Sequence, residues 1–199
     1  HRFLGGVPRD FVVLPSQVME NWVFEPEMLA LYARHYKTGE IIPADLVERI
    51  QAAGRHNQGF ATVEYLAASK LDMEWHRATT ADFGDAADFE ADVLKNMGMP
   101  AQIIPRYRST YFNHIFGGGG SYSAGYYSYI WSEVLDADAF EAFKETGDLF
   151  NRQVATSFRT NILERGGTLE AGQMYRNFRG RDPVVEPLLE NRGLKPSGK

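Results

Sequence analysis

Cysteine is absent from all 199 residues, which excludes disulfides and thiolate metal sites outright and is compatible with a reducing cytosol. Positive charge is also short. Lys and Arg number 21 against 26 Asp and Glu, a net charge of −5, whereas nucleic-acid binders usually carry a basic patch or stripe. Long apolar runs are missing, and none approaches the ~18 residues of a membrane span. No signal peptide opens the chain, and His1-Arg2-Phe3 reads as a cut edge rather than a natural start. Histidine is sparse: the five imidazoles include no pair at i, i+4, the spacing that two zinc ligands on one helix require. There is no HExxH. The tetraglycine at 117–120 is not followed by Gly-Lys-Ser/Thr, so it is not a phosphate-cradling P-loop. Nor is there a run of alternating apolar and polar residues bounded by turns, so a substantial sheet is not expected.

What is present is helical periodicity. Ser16 is placed to cap a helix from Gln17 to about Phe24, and Pro26 to open a second through Tyr36. Leu29, Tyr32, Ala33 and Tyr36 share a face of that second helix. Further helices are expected over 43–54, with Leu46, Val47 and Ile50 inward, and over 59–78, burying Phe60, Val63, Leu66, Ala67, Leu71 and Trp75. Another starts at Asp85, carries Phe89, Val93, Leu94 and Met97, and stops at Gly98 and Pro100. The acidic residues from Asp82 to Asp92 read as a solvated face. Helices over 123–135, 136–146, 148–165, 169–178 and 183–191 complete the pattern. The expectation is an all-α, multi-helical fold in one domain, 1–199, with little or no sheet.

Several motifs stand out in order along the chain: VPRDFVVLPSQVMENW from Val7, YARHYKTGEIIP from Tyr32, and the segment from Asn57 that ends in KLDMEWH. PRYRSTYFNHIF follows from Pro105, then YSAGYYSYIWSEVLDADAF from Tyr122, RNFRGRDP and LLENRGL. Together they resemble the thimet-oligopeptidase and peptidyl-dipeptidase family of zinc metallopeptidases over essentially the whole chain. The resemblance implies a large helical protein with a deep channel between two lobes, this chain being a C-terminal catalytic-lobe fragment. It also implies a zinc ion that polarises the peptide carbonyl and acidifies its water, with a Glu as base.

The site residues carry over unevenly. The family pattern reads PRDFVE, its Glu being the third zinc ligand; here that position is Val13, an isopropyl group that coordinates nothing. His114 matches the family's F-x-H histidine, and Tyr122, Tyr126 and Tyr129 match tyrosines that hydrogen-bond the substrate backbone and stabilise the oxyanion. The same tyrosines include an i, i+4 pair, so a packed aromatic face also accounts for them. Arg106 and Arg108 could grip a peptide carboxylate bidentately or pair with one of the chain's own acids, and Gly118 belongs to the same substrate-binding set. GGGGS at 117–121 is longer than the family's glycine-rich join and also spells a laboratory flexible linker. Leu4-Gly5-Gly6 likewise meets Val7 more tightly than the family spacing.

The resulting expectation is a fragment or engineered derivative of a peptidase acting on short peptides, inactive as this chain alone and without a cofactor of its own, zinc belonging to the parent family. The alternative is a non-catalytic helical scaffold or a peptide- or protein-binding module. Expected partners are short peptides, a second copy through an exposed apolar face, or a complementary N-terminal fragment, but neither nucleic acid nor membrane. The expected compartment is a bacterial-like cytoplasm, with the periplasm also open.

Overall fold

A computed structural model describes residues 6–80, 82, 84–118 and 122–194. His1-Arg2-Phe3, Leu4, Gly5 and most of the GGGGS segment (119–121) lie outside the described residues. Among those described the structure is α-helical, with one isolated antiparallel bridge between Arg34 and Ile41 and no sheet. The chain divides into two compact units, His1–Gln58 with Ile130–Lys199, and Gly59–Tyr129.

In the first unit α1 covers Leu14–Glu20, α2 Pro26–Tyr32 and α3 Ala44–Gly54. Ser16 does not cap α1 as expected. Pro15 sits in the first turn and Val13 takes the cap position, while the Ser16 hydroxyl bonds back to the Val13 carbonyl at 2.8 Å. A single 3-10 turn, Asn21–Phe24, carries the chain onward. α2 ends four residues before Tyr36, because Ala33 leaves the helical region (ψ 69°) and Arg34 turns to the bridge with Ile41. Of the three residues expected inward on α3 only Val47 is buried, Leu46 and Ile50 being exposed; on α2 Leu29 is buried, whereas Tyr32 and, beyond the helix, Tyr36 are exposed.

The Ser123–Leu135 and Asp136–Thr146 helices expected separately are one helix, α7, Ser128–Lys144; nothing between Leu135 and Phe140 breaks the backbone pattern. Its buried face (Leu135, Ala139, Phe140, Phe143) packs with Leu14 and Val18 of α1, with Phe158 and with Met174. α8 (Arg152–Phe158) runs into a π-turn over Arg159–Leu163. α9 (Ala171–Arg179) is capped by Glu170, and α10 covers Glu186–Asn191.

The motifs of this unit are structural pins. Trp22 stacks edge-on against Phe140 and Phe143 (4.5 and 4.8 Å) and donates its indole N–H to the Leu149 carbonyl at 3.0 Å. Burial of rings of this size contributes about 1.5–3 kcal/mol each. In the LDADAF segment Asp138 is fully buried. It accepts the Tyr175 hydroxyl at 2.7 Å and both Arg181 terminal nitrogens at 3.0 and 2.5 Å. A buried carboxylate requires such complete pairing, and Gly180, at φ +81°, makes the turn that brings Arg181 back.

The second unit contains most of α4 (Gln58–Arg77), α5 (Ala86–Asn96) and α6 (Asn113–Phe116). Asp85 caps α5 through the N–H groups of Ala87 and Asp88, worth about 1 kcal/mol. α4 buries Ala67 and Leu71 as expected and Ala68 besides, but Phe60, Val63 and Leu66 are exposed. Its core joins Ala68, Phe112, Ile115 and Tyr126 with the partly buried rings of Tyr65, Trp75 and Tyr107.

Candidate functional site

The site is built in the second unit, around the ends of a glycine-containing loop. α6 places His114 one turn before Gly117, and a turn at 122–127 leads into α7, whose second residue is Tyr129. Gly117 is required where it stands, because a Cβ there would meet the Asn113 carbonyl oxygen at 2.7 Å. Gly118 follows at φ +64°, a backbone region that glycine occupies without steric cost. Beside them an open depression of about 470 Å³ is lined by Asn113, His114, Gly117, Gly118 and Tyr122.

Three of the expected site residues form one hydrogen-bonded chain. The Tyr129 hydroxyl donates to the Tyr122 hydroxyl at 3.3 Å, so it accepts from His114 Nε2, 3.0 Å away. The Tyr122 and Tyr129 rings are nearly parallel (11°), 6.1 Å apart. Tyr126 lies behind them. It is buried, stacked on Tyr65 at 5.4 Å and edge-on to Tyr129 and His114, and Tyr65 donates its hydroxyl to the Tyr126 carbonyl. The packed-face and hydrogen-bonding readings of the tyrosines thus fall on different members. Tyr126 packs, and Tyr122 and Tyr129 present oxygens.

Desolvation dominates the electrostatics. It pushes the Tyr126 phenol up to about 12, with the neighbouring Tyr107 and Tyr65 phenols adding to the effect. It also raises Tyr129 well above the usual phenol range, aided by the hydrogen bond to Tyr122. Both phenols are therefore neutral near pH 7 and act as donors rather than as bases. Such an array can bind carbonyl oxygens of a peptide backbone or a developing oxyanion.

The two arginines separate. Arg108 is engaged by Glu90, whose buried carboxylate also accepts the N–H and hydroxyl of Ser109. Arg106 is exposed, its guanidinium 5.6 Å from the Tyr107 ring centroid. Glu90 corrects the reading of the acidic run as a wholly solvated face. It lies at i, i+3 and i, i+4 from Val93 and Leu94, on the buried side of α5. Sequence reasoning missed Asp72 as well. This carboxylate of the KLDMEWH segment accepts the N–H of Ala124 at 2.9 Å and of Tyr126 at 2.8 Å. A signal was present, since Asp72 falls four residues after buried Ala68 and three before Trp75.

Val13, in the first unit, is half-buried at the start of α1. Among the described residues no group of three or more His, Cys, Asp or Glu side chains is placed to hold a metal ion. No helix among them is long and apolar enough to cross a membrane.

Residues 2–194 match the model of peptidase family M3. The chain is 45% identical over 190 residues to dipeptidyl carboxypeptidase of Escherichia coli, covering 94% of this chain and 27% of that protein. It is 41% identical over 194 residues to oligopeptidase A of the same organism, covering 96% and 28%. It is 32% identical over 197 residues to saccharolysin of Saccharomyces cerevisiae, covering 96% and 26%. The chain thus spans about a quarter of the length of these curated relatives. A family match across nearly every residue places the chain, whose described residues are helical without sheet, in peptidase family M3.

Proposed function

We propose that this chain presents the peptide-facing wall of an M3-type peptidase site, and that these 199 residues alone bind short peptides without hydrolysing them. The observation that supports the reading is the His114–Tyr129–Tyr122 hydrogen-bonded chain beside the depression at Gly117 and Gly118. On binding, the phenols and the imidazole would exchange their mutual hydrogen bonds for bonds to peptide carbonyls, and the glycines leave room for an extended backbone. The relatives' names, a dipeptidyl carboxypeptidase and an oligopeptidase, supply the ligand class. Arg106, exposed in the same unit, is the candidate partner for a peptide carboxylate.

The family's zinc does not fit the donors at hand. A catalytic zinc takes three protein ligands, Val13 offers an isopropyl group, and no suitable cluster occurs among the described residues. No hydrolytic step is therefore assigned to this chain. Isothermal titration with short peptides tests the reading. Binding without zinc that weakens about tenfold in Tyr129→Phe and in His114→Ala supports it, each change removing one or two hydrogen bonds. Unchanged affinity in both variants refutes the wall, and chelator-sensitive hydrolysis by the chain refutes its inactivity.

The exposed apolar side chains of α2 and α3 favour a second reading, a helical module whose apolar face docks on protein surface rather than on short peptides.

A further inference from the structure

The carboxylate of Asp72 is buried (1% exposed) and fully engaged. Oδ1 accepts the Ala124 N–H at 2.9 Å and lies 2.7 Å from His76 Nδ1; Oδ2 accepts the Tyr126 N–H at 2.8 Å. Ala124 has φ +54°, a conformation L-residues disfavour. That left-handed step allows the N–H groups of residues 124 and 126 to converge on one anion, as in backbone nests. The turn closes with the Gly125 N–H on the Tyr122 carbonyl at 2.8 Å and the Ser128 hydroxyl on the Gly125 carbonyl at 2.6 Å. Tyr122 enters this turn and Tyr129 leaves it. Their hydroxyls meet at 3.3 Å only because the chain reverses between them.

We propose that Asp72 is the positioning residue of the peptide wall. Its carboxylate holds the 122–126 turn in a conformation the sequence Ser-Ala-Gly would not keep unaided, and so sets the Tyr122–Tyr129 spacing and the contact with His114. Asp72 reaches no ligand itself, because it is covered by the turn it organises. The role in peptide binding rests on the wall proposed above; the role in shaping the turn does not. His76 steadies the same carboxylate. Its Nδ1 faces only oxygens, those of the Asp72 side chain and the Asp72 carbonyl at 2.9 Å, so it carries its proton there, and its ring packs 5.5 Å from Phe116 on α6. One carboxylate thus connects both sides of the wall, the His114 helix and the tyrosine turn.

Asp72→Asn in the whole chain is the test, because the amide sets an N–H₂ against one of the two backbone N–H groups. In spectra of chain labelled in its tyrosine and histidine rings, the Tyr122, Tyr129 and His114 resonances are expected to move while Tyr175 and Tyr32 stay in place. Tetra-alanine affinity is expected to fall about tenfold, the scale of a lost buried hydrogen bond. Tyr129→Phe, costly in the unsubstituted chain, should add less than about twofold in the Asp72→Asn background, since the two losses share one geometry. Ala124→Gly, which removes the left-handed penalty, should restore part of the affinity. Additive losses with unmoved rings overturn the proposal. If tetra-alanine fails to bind the unsubstituted chain, the peptide reading falls, and the ring shifts alone decide on Asp72. If Asp72→Asn does not fold, Ala124→Val strains the same turn with the core intact. The same ring shifts then support the proposal, and unshifted rings overturn it.

Discussion

Glu90 Oε2 accepts both the backbone N–H of Ser109, at 2.6 Å, and its hydroxyl, at 3.0 Å. Oε1 takes Arg108, and Trp75 donates its indole N–H to the same Ser109 oxygen at 2.9 Å. A single buried carboxylate thus ties α4 and α5 to the segment that leads into His114. Glu90→Ala leaves the Ser109 N–H without its acceptor and Arg108 without its counter-ion. It is expected to lower unfolding stability by about 2–4 kcal/mol, and Glu90→Gln by less. Urea unfolding reads both, and a loss of less than about 1 kcal/mol in Glu90→Ala would contradict the assignment.

Gly117 and Gly118 make separable predictions. A Cβ at Gly117 collides with the Asn113 carbonyl, which belongs to the α6 backbone and cannot swing away. Gly117→Ala should therefore shift α6 and weaken peptide binding as well as stability. Gly118 stands at φ +64°, so Gly118→Ala costs about 1 kcal/mol of conformational strain. Gly118→Asn should cost less, since Asn tolerates the left-handed region better. Melting curves of the three variants test the ranking, and Gly118→Asn below Gly118→Ala would reverse it.

Helix identity was legible in the sequence because periodicity reports which face is apolar, and caps such as Asp85 report where a helix begins. Faces were less legible. Tyr32, Leu46, Ile50, Phe60 and Val63 sit at helical spacings yet are exposed, because periodicity reveals an apolar stripe without revealing what covers it. Continuity failed at Leu135–Asp136. One helix was expected to end at Leu135 and the next to begin at Asp136, but in the structure Asp136 and Asp138 lie on the buried side of α7 with partners far away in sequence, Asn21 for one and Tyr175 and Arg181 for the other. Among the site residues, the resemblance pointed to His114, Tyr122 and Tyr129, which the structure joins by hydrogen bonds. Asp72 and Glu90 escaped because their function is a long-range bond to backbone N–H groups, which leaves no local signature beyond a charge on an apolar stripe.

The exposed apolar side chains of the first unit predict self-association. Leu31, Tyr32, Tyr36, Leu46 and Ile50 each leave more than a third of their surface uncovered, and contiguous apolar surface drives association once it exceeds a few hundred Å². Light scattering on a concentration series is expected to show growing mass at high protein concentration. Leu46→Glu with Ile50→Glu should suppress it without lowering the melting temperature, because neither side chain is in the core. A constant monomer mass in the unsubstituted chain would refute the prediction.

Asp136 makes stability depend on pH in the direction opposite to the usual paired carboxylate. Burial in α7 pushes its pKa up to about 7, the hydrogen bond from Asn21 Nδ2 at 2.9 Å opposes the shift, and the neighbouring Glu133 and Glu20 reinforce it. In the unfolded chain an Asp titrates near its ordinary value of about 4. Below that pH both states are protonated and the group contributes nothing. Between about 4 and about 7 the unfolded state loses its proton while the folded state retains it, so stability falls as pH rises. Above about 7 the folded state has ionised too, and the loss is complete at about 2–3 kcal/mol, reduced by residual solvent around the carboxyl. Asp136→Asn keeps the shape and an acceptor for Asn21 but cannot ionise. The variant should match the unsubstituted protein near pH 4 and exceed its stability at pH 8. Urea midpoints measured across that range decide the matter, and a difference that does not change with pH would show that Asp136 is ionised throughout.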